Sequence, residues 1–392
     1  MRVAILHIYA FPYGMAATNR IAAYAQGLVE NNVETDVISV IPPESPCTDN
    51  VLPNSGEYNG IHYIHPSGRY RSRNKIFRAF SMKSGWRFWS GVFRVYKILK
   101  MNHYDAVILS FDEPHQLYVY SHIVHYLGSK SIFIFDEYPI PIRHKLKTNI
   151  PTWKEKAYSI ALRKIDGYIS ISEELKTYYN IYCTKPSIIL PVIVNTSRFI
   201  PPIKLNKKEW ITYIGNMELS KDNLDNIIKA FSLISNKFPN YSLHFFGKTS
   251  SINLKILSDL VNKEGLNGKV FFGGVVENSQ VSSLIYQSKI MVSSQPNTLR
   301  AKGGFPTKLG EYVVTGTPTL LCDVGENSKY LTSEDCYYVE PENPKAYAEK
   351  LEYILSHYDE ALLKAKHGRE TVFDKYSHVA AGEKIKKFIK SI

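Results

Sequence analysis

The chain has 392 residues, 44% apolar and 21% charged, a balance that excludes a disordered or fibrous protein and a length that implies two domains. Its four cysteines, Cys47, Cys183, Cys322 and Cys336, are scattered with no two at metal-ligand spacing, so reduced thiols in the cytoplasm are expected. The formal charge of +12 is uneven, and no window approaches the roughly 20 apolar residues of a membrane span.

Met1-Arg-Val-Ala-Ile-Leu-His-Ile reads as a buried strand and not as a secretory leader. From there strand-like and helix-like runs alternate. Strands are predicted at 3–8, 35–40, 106–109, 131–135 and 167–172, with helices at 16–30, 114–127 and 152–164. Continuous apolar strands separated by helices imply a parallel sheet covered on both faces.

One stretch stands apart. Between Tyr58 and Tyr104 there is no Asp or Glu, while ten Lys or Arg occur between Arg69 and Lys100, interleaved with aromatic residues. Trp89, Val92, Phe93, Tyr96 and Leu99 recur at helical spacing, with Arg87, Arg94 and Lys97 off that stripe. Three readings are open: a helix packing its aromatic stripe inward, an element resting on an anionic membrane surface through 69–100, or a nucleic-acid contact. No recognised nucleic-acid motif accompanies the charge, and no nucleic-acid partner is expected.

The alternation pauses at 191–208, where Pro201-Pro202 and a polar cluster suggest a linker. It restarts with strands at 210–214, 242–246, 270–272, 290–293 and 318–321, and with a helix face of Leu224, Ile227, Ile228, Phe231 and Ile234. The expected architecture is α/β, with two doubly wound Rossmann-like domains facing across a crevice. The expected bounds are 1–190, a linker at 191–208, 209–375, and a C-terminal helix at 376–392 that packs back on the first domain. Ligands in such folds bind beyond the carboxyl ends of the strands.

The segment Lys302-Gly303-Gly304-Phe305-Pro306-Thr307-Lys308-Leu309-Gly310-Glu311 is the sharpest feature. A Gly-Gly pair lets backbone approach a ligand, and Pro306 suits the first position of a helix whose free N–H groups attract an anion. Glu311 lies four residues past Thr307, about 6 Å along the axis, so a diphosphate at the helix tip would leave a ribose beside the carboxylate. An ordinary Gly-Pro turn capping a core helix is the alternative. Gly215-Asn216-Met217-Glu218-Leu219-Ser220-Lys221 also leads from a strand toward a helix, and Lys221 is either a phosphate-binding cation or simply solvated.

Together these segments resemble the second domain of family 4 (group 1) glycosyltransferases, which have the GT-B fold and include bacterial capsule and O-antigen enzymes of polysaccharide biosynthesis. Gly215 to Asp222 is similar to the family's Gly-Arg-Leu-x-x-x-Lys-Gly, with Lys221 at the lysine. Glu311-Tyr-Val-Val-Thr-Gly316-Thr-Pro318 is similar to its Glu-x-x-x-x-Gly-x-Pro, and Phe271-Phe-Gly273-Gly-Val-Val276 also fits. In the first domain, the loop from Phe11 through Gly14 to Arg20 resembles the one bordering the acceptor, and 190–201 resembles the interdomain segment. The resemblance implies donor contacts from Gly215, Asn216, Lys221, Gly247, Val276, Gly303, Gly304, Pro306, Thr307, Lys308 and Glu311, and an acceptor side at Gly14 and Arg20. Lys221 and Glu311 would be the principal catalytic-site residues. Two positions depart: the family's arginine is Asn216, and its first glutamate is Gly303. Both matter for donor contacts.

The resemblance implies a retaining transfer from a sugar nucleotide to a glycan or lipid-linked saccharide. With no Asp-x-Asp pair in the chain, no metal or other cofactor is expected. Asp136 and Glu137, just past a strand, are candidates to orient or deprotonate the acceptor, with a capping role as the alternative. His115 and His144 are weaker candidates. A sugar-nucleotide epimerase of the same fold and a non-catalytic GT-B scaffold subunit are the other readings.

Overall fold

The strands are short, apolar and mostly buried, so each needs helices on both faces, and the chain supplies them by alternation. The structure, a computed structural model, describes residues 1–14, 16–40, 53–67, 86–139, 152–204, 206–219 and 221–392. It divides into two units, Met1–Asn195 with Ser377–Ile392, and Thr196–Tyr376.

The first unit holds β1 (Arg2–His7), β2 (Glu34–Ser39), β3 (Ser55–Tyr58), β4 (Ile61–Ile64), β5 (Ala106–Ser110), β6 (Lys130–Phe135), β7 (Gly167–Ser170) and β8 (Ser187–Ile189). They form one sheet in the order β3-β4-β2-β1-β5-β6-β7-β8, parallel except for β3. The β3–β4 hairpin turns at Asn59-Gly60, both at positive φ (50° and 75°), the backbone that a two-residue hairpin demands. The strand order reverses between β1 and β5, so the carboxyl ends of these strands define a ligand-binding edge.

Beneath the sheet, the buried Asp36 carboxylate accepts from Arg2 Nη2 at 2.9 Å, from the Tyr104 hydroxyl and from His62 Nδ1 at 3.0 Å. Near the carboxyl end of β1, His7 is fully buried. Its Nδ1 accepts the Tyr9 N–H at 3.2 Å, which leaves Nε2 to donate to Ser39 Oγ at 3.0 Å. Burial, with His65 adding to it, lowers the His7 pKa from 6.5 to about 3. The folded state therefore refuses a proton that the unfolded chain accepts, so stability from this group is complete above pH 6.5 and is lost as pH falls toward 3. A His7→Gln variant is expected to show a flatter loss of Tm between pH 6.5 and 4 than the wild type, read by thermal unfolding across that range.

The C-terminal helix His378–Ser391 belongs to the first unit. It crosses the helix Ala16–Glu30 where both are glycine: a Cβ on Gly27 would lie 1.9 Å from the His378 carbonyl oxygen, and one on Gly382 2.1 Å from Gly27. His378 Nε2 pairs with Glu30 at 3.0 Å, and Lys386 Nζ caps the Asn31 carbonyl at 2.6 Å.

The helix Trp86–Asn102 corrects one expectation. Its buried face is Val92, Val95 and Leu99, whereas Trp89 and Phe93 are 58% and 56% exposed. The aromatic stripe is thus not the inward face. Phe93 instead lies beneath the Lys97 ammonium, 4.6 Å from its ring centroid, and Arg94 Nη1 donates to the Pro66 carbonyl. Residues 69–85 of the basic stretch lie outside the described residues, as does His144.

The second unit holds β9 (Lys208–Ile214), β10 (Ser242–Phe246), β11 (Val270–Gly274), β12 (Ser288–Val292), β13 (Thr319–Cys322) and β14 (Tyr337–Val339), all parallel, in the order β11-β10-β9-β12-β13-β14. Counted within the unit this is 3-2-1-4-5-6, the doubly wound nucleotide-binding order. Ile211, Tyr213, Leu243, Phe245, Ile290, Val292 and Leu320 form its core with the helices Leu224–Ile234 and Pro344–Ser356.

Candidate functional site

In the second unit the order reverses between β9 and β12. Their ladder reaches only the Met291–Thr212 pair, and beyond it the strands separate. Ile214 would be left with an unpaired N–H and C=O there. The Tyr312 hydroxyl satisfies both, accepting from Ile214 N at 2.8 Å and donating to Ile214 O at 2.6 Å. That bond pins the helix Thr307–Val313 to the end of β9 and so places Lys308 and Glu311.

Glycines make room at the same edge. Gly215 N donates to Phe246 O at 2.9 Å, and Gly247 N donates to Gly274 O at 2.7 Å, tying the ends of β9, β10 and β11 together. Gly247 has φ of 142°, and a Cβ there would stand 1.6 Å from the Gly215 carbonyl oxygen. Gly247→Ala is accordingly expected to disrupt the second unit, seen as a lower Tm and loss of donor binding, because backbone cannot yield as a side chain would.

Lys308 lies under this floor. Its Nζ donates to Asp222 Oδ1 at 2.5 Å and to the Tyr213 hydroxyl at 3.2 Å, and it sits 4.4 Å from the Tyr213 ring centroid. The two charged side chains are 13% and 2% exposed. Burial lowers the Lys308 pKa, Asp222 opposes that, and the Lys221 ammonium adds to the lowering, which places the two lysines in one electrostatic neighbourhood. Lys221 is half-buried in the turn after β9, where its N–H donates to Glu218 O at 2.9 Å, and among the described residues its side chain has no ion pair. Among the described residues Lys308 is paired with Asp222, and Lys221 has no ion pair.

Gly303 ends a short helical turn, Leu299–Gly303, and is buried, while Gly304 is extended. Pro306 is the residue before the helix and not its first member, so the leading amides are those of Thr307 and Lys308. Asn216 is exposed, and its carbonyl accepts from the Tyr213 hydroxyl at 2.9 Å. Val276 is half-buried in the loop following β11. Glu311 Oε1 accepts from Arg198 Nη1 at 2.8 Å. The sequence reading did not include Arg198 or Asp222. A charged residue flanking Lys221 and an arginine beside Phe199 were the only signals present.

In the first unit, Gly14 packs against Thr18, whose hydroxyl donates to Ala10 O at 2.7 Å. Arg20 and Tyr24 are both buried on the helix Ala16–Glu30. Burial raises the Tyr24 pKa; Arg20 counteracts it and the Asp136 carboxylate adds to it. Asp136 directly follows β6. The Glu137 backbone carbonyl accepts from the Tyr179 hydroxyl at 3.2 Å. His115 is exposed in the first turn of the helix Pro114–Tyr126.

A doubly wound sheet with bare glycines and a cation at its strand-order reversal is a Rossmann-like unit. Residues 195–371, nearly all of that unit, match the family model described as glycosyl transferases group 1. Over 100% of the chain the fold is similar to three solved structures. One is a sucrose-phosphate synthase from Thermosynechococcus elongatus (15% identity, 98% of that chain, TM-score 0.72), and another is a glycosyltransferase from Rickettsia africae (17%, 98%, 0.71). The third is Anabaena HepE in complex with UDP and glucose (11% identity, 100% of that chain, TM-score 0.69). No curated protein sequence matches. Residues 195–371 are thus similar to the group 1 glycosyl transferases, and the fold of the chain is that of GT-B structures.

Proposed function

We propose that the protein moves a hexose-type unit from a nucleoside-diphosphate sugar to a glycan or lipid-linked saccharide, with retained anomeric configuration and without a metal ion, in the cytoplasm at the inner face of the cell membrane. The grouping that carries this reading is Lys221 with the Lys308–Asp222 pair, next to the bare glycines Gly215 and Gly247 at the strand ends. Fixed positive charge at that point favours a leaving diphosphate, which is where negative charge grows in the transition state. Glu311 would hold the ribose. The acceptor oxygen bonds to the anomeric carbon as its bond to phosphate breaks, and a donor phosphate oxygen takes the acceptor's proton. Asp136 would orient the acceptor. HepE, solved with UDP and glucose, supports the donor class.

A panel of sugar nucleotides tests the donor claim. One of them should raise Tm and bind by calorimetry, and turnover should need an acceptor. A silent panel sinks the reading, and a new sugar nucleotide formed with no acceptor present would point to the epimerase.

The membrane part rests on the exposed Trp89 and Phe93 beside Arg94, Lys97 and Lys100 on the helix Trp86–Asn102. Aromatic rings sink into an interface, while nearby cations each contribute about 1 kcal/mol against anionic lipid. Among the described residues no helix is long and apolar enough to cross a membrane, so a surface attachment is the form proposed. Sedimentation with anionic but not neutral liposomes is expected, and it should be lost in an Arg94→Glu, Lys97→Glu double variant. Equal binding to both vesicle types removes the claim.

A further inference from the structure

Glu311 is held from one side. The helical turn Thr196–Arg198 places the Arg198 guanidinium so that Nη1 donates to Glu311 Oε1 at 2.8 Å while Nη2 donates to the Asn278 side-chain oxygen. The guanidinium carbon lies 5.3 Å from the Phe199 ring centroid, and the Phe199 carbonyl is itself fixed by the Tyr286 hydroxyl at 2.9 Å. The Arg198 and Glu311 side chains are 24% and 14% exposed.

The division of the guanidinium fork matters. A fork facing one carboxylate takes both of its oxygens. Here one arm goes to a carboxylate and the other to an amide, so Glu311 Oε2 is left with no side-chain partner among the described residues. Glutamate otherwise has three rotatable bonds whose freedom is lost on binding, and a mostly buried carboxylate without a counter-charge is penalised.

We propose that Arg198 is a positioning residue of the donor site: it holds the Glu311 carboxylate turned so that Oε2 accepts the hydroxyls of a ribose. This rests on the reading of Glu311 as the ribose-holding group. Asn278 completes the device by fixing the far arm of the guanidinium. A lysine carries the charge but cannot bridge both partners in one plane.

The test compares UDP, GDP and ADP with their 2′-deoxy forms, by calorimetry, on the wild type and on Arg198→Gln, Arg198→Lys and Glu311→Gln. The wild type should favour the best ribonucleotide over its deoxy form by about tenfold or more, the scale of a hydrogen bond to a charged group. That ratio should fall near one in Arg198→Gln and in Glu311→Gln and be intermediate in Arg198→Lys. If Arg198→Gln weakens both forms equally and keeps the ratio while Glu311→Gln loses it, Arg198 is only a packing residue and the proposal is overturned. If the wild type itself shows no binding or no ribose preference, the Glu311 reading fails and takes this proposal with it. Should Arg198→Gln not fold, Arg198→Lys decides by the same ratio, since its charge keeps Glu311 compensated.

Discussion

Replacing Lys308 with methionine is expected to destabilise the second unit by about 3–5 kcal/mol, the usual cost of leaving one member of a buried ion pair alone. Asp222 is 2% exposed and would be left buried with no cation in contact. The Tyr213 hydroxyl would also lose the ammonium that reaches it at 3.2 Å. Urea unfolding measures the loss. The double variant Lys308→Met, Asp222→Asn should recover a large part of it, because the uncompensated charge is then gone. If the single and double variants are equally unstable, the loss comes from packing around Tyr213 and not from charge. Donor binding should fall in both, since both remove a cation beside Lys221.

Lys221→Ala should give the opposite signature. The side chain is half-buried in a turn and has no ion pair among the described residues, so its loss should leave Tm within about 1 °C, as surface substitutions away from special features generally do. Turnover should nevertheless fall by about 100-fold or more, the scale of removing one preorganised group from a developing charge. Steady-state kinetics with the donor that raises Tm makes the measurement. A loss of turnover that tracks a loss of folding would remove Lys221 from the chemistry. The two lysines are electrostatic neighbours, and these variants separate the one that builds the seat from the one that acts on the ligand.

Much of the fold was legible because buried parallel strands are continuously apolar, as 3–6, 106–109 and 132–135 are. The β3–β4 hairpin carries a local turn signal in Asn59-Gly60, but its four-residue strands are too short to show a clear hydrophobic period. The helix Trp86–Asn102 shows a different limit. Its apolar residues cover more than one face: of the stripe Trp89, Val92, Phe93, Tyr96 and Leu99 that periodicity selects, the fold buries Val92 and Leu99, adds Val95, and leaves Trp89 and Phe93 exposed. A hydrophobic pattern records which residues tolerate burial and leaves open which side a neighbour covers.

Lys221 and Glu311 were readable because glycine, proline and charge near a strand or helix end carry local meaning. Their partners were not. Arg198 lies 113 residues before Glu311, and Asp222 lies 86 before Lys308. Local order in the chain determined most strands and helices, the glycines at the strand-order reversal and the positions of the two candidate side chains Lys221 and Glu311. The tertiary structure alone decided that Gly247 must be bare because Gly215 backbone presses on it, that Lys308 is neutralised by Asp222, and that Arg198 steadies Glu311. Each of these depends on distance between residues remote in the chain, and a contact of that kind leaves no mark on the residues next to it.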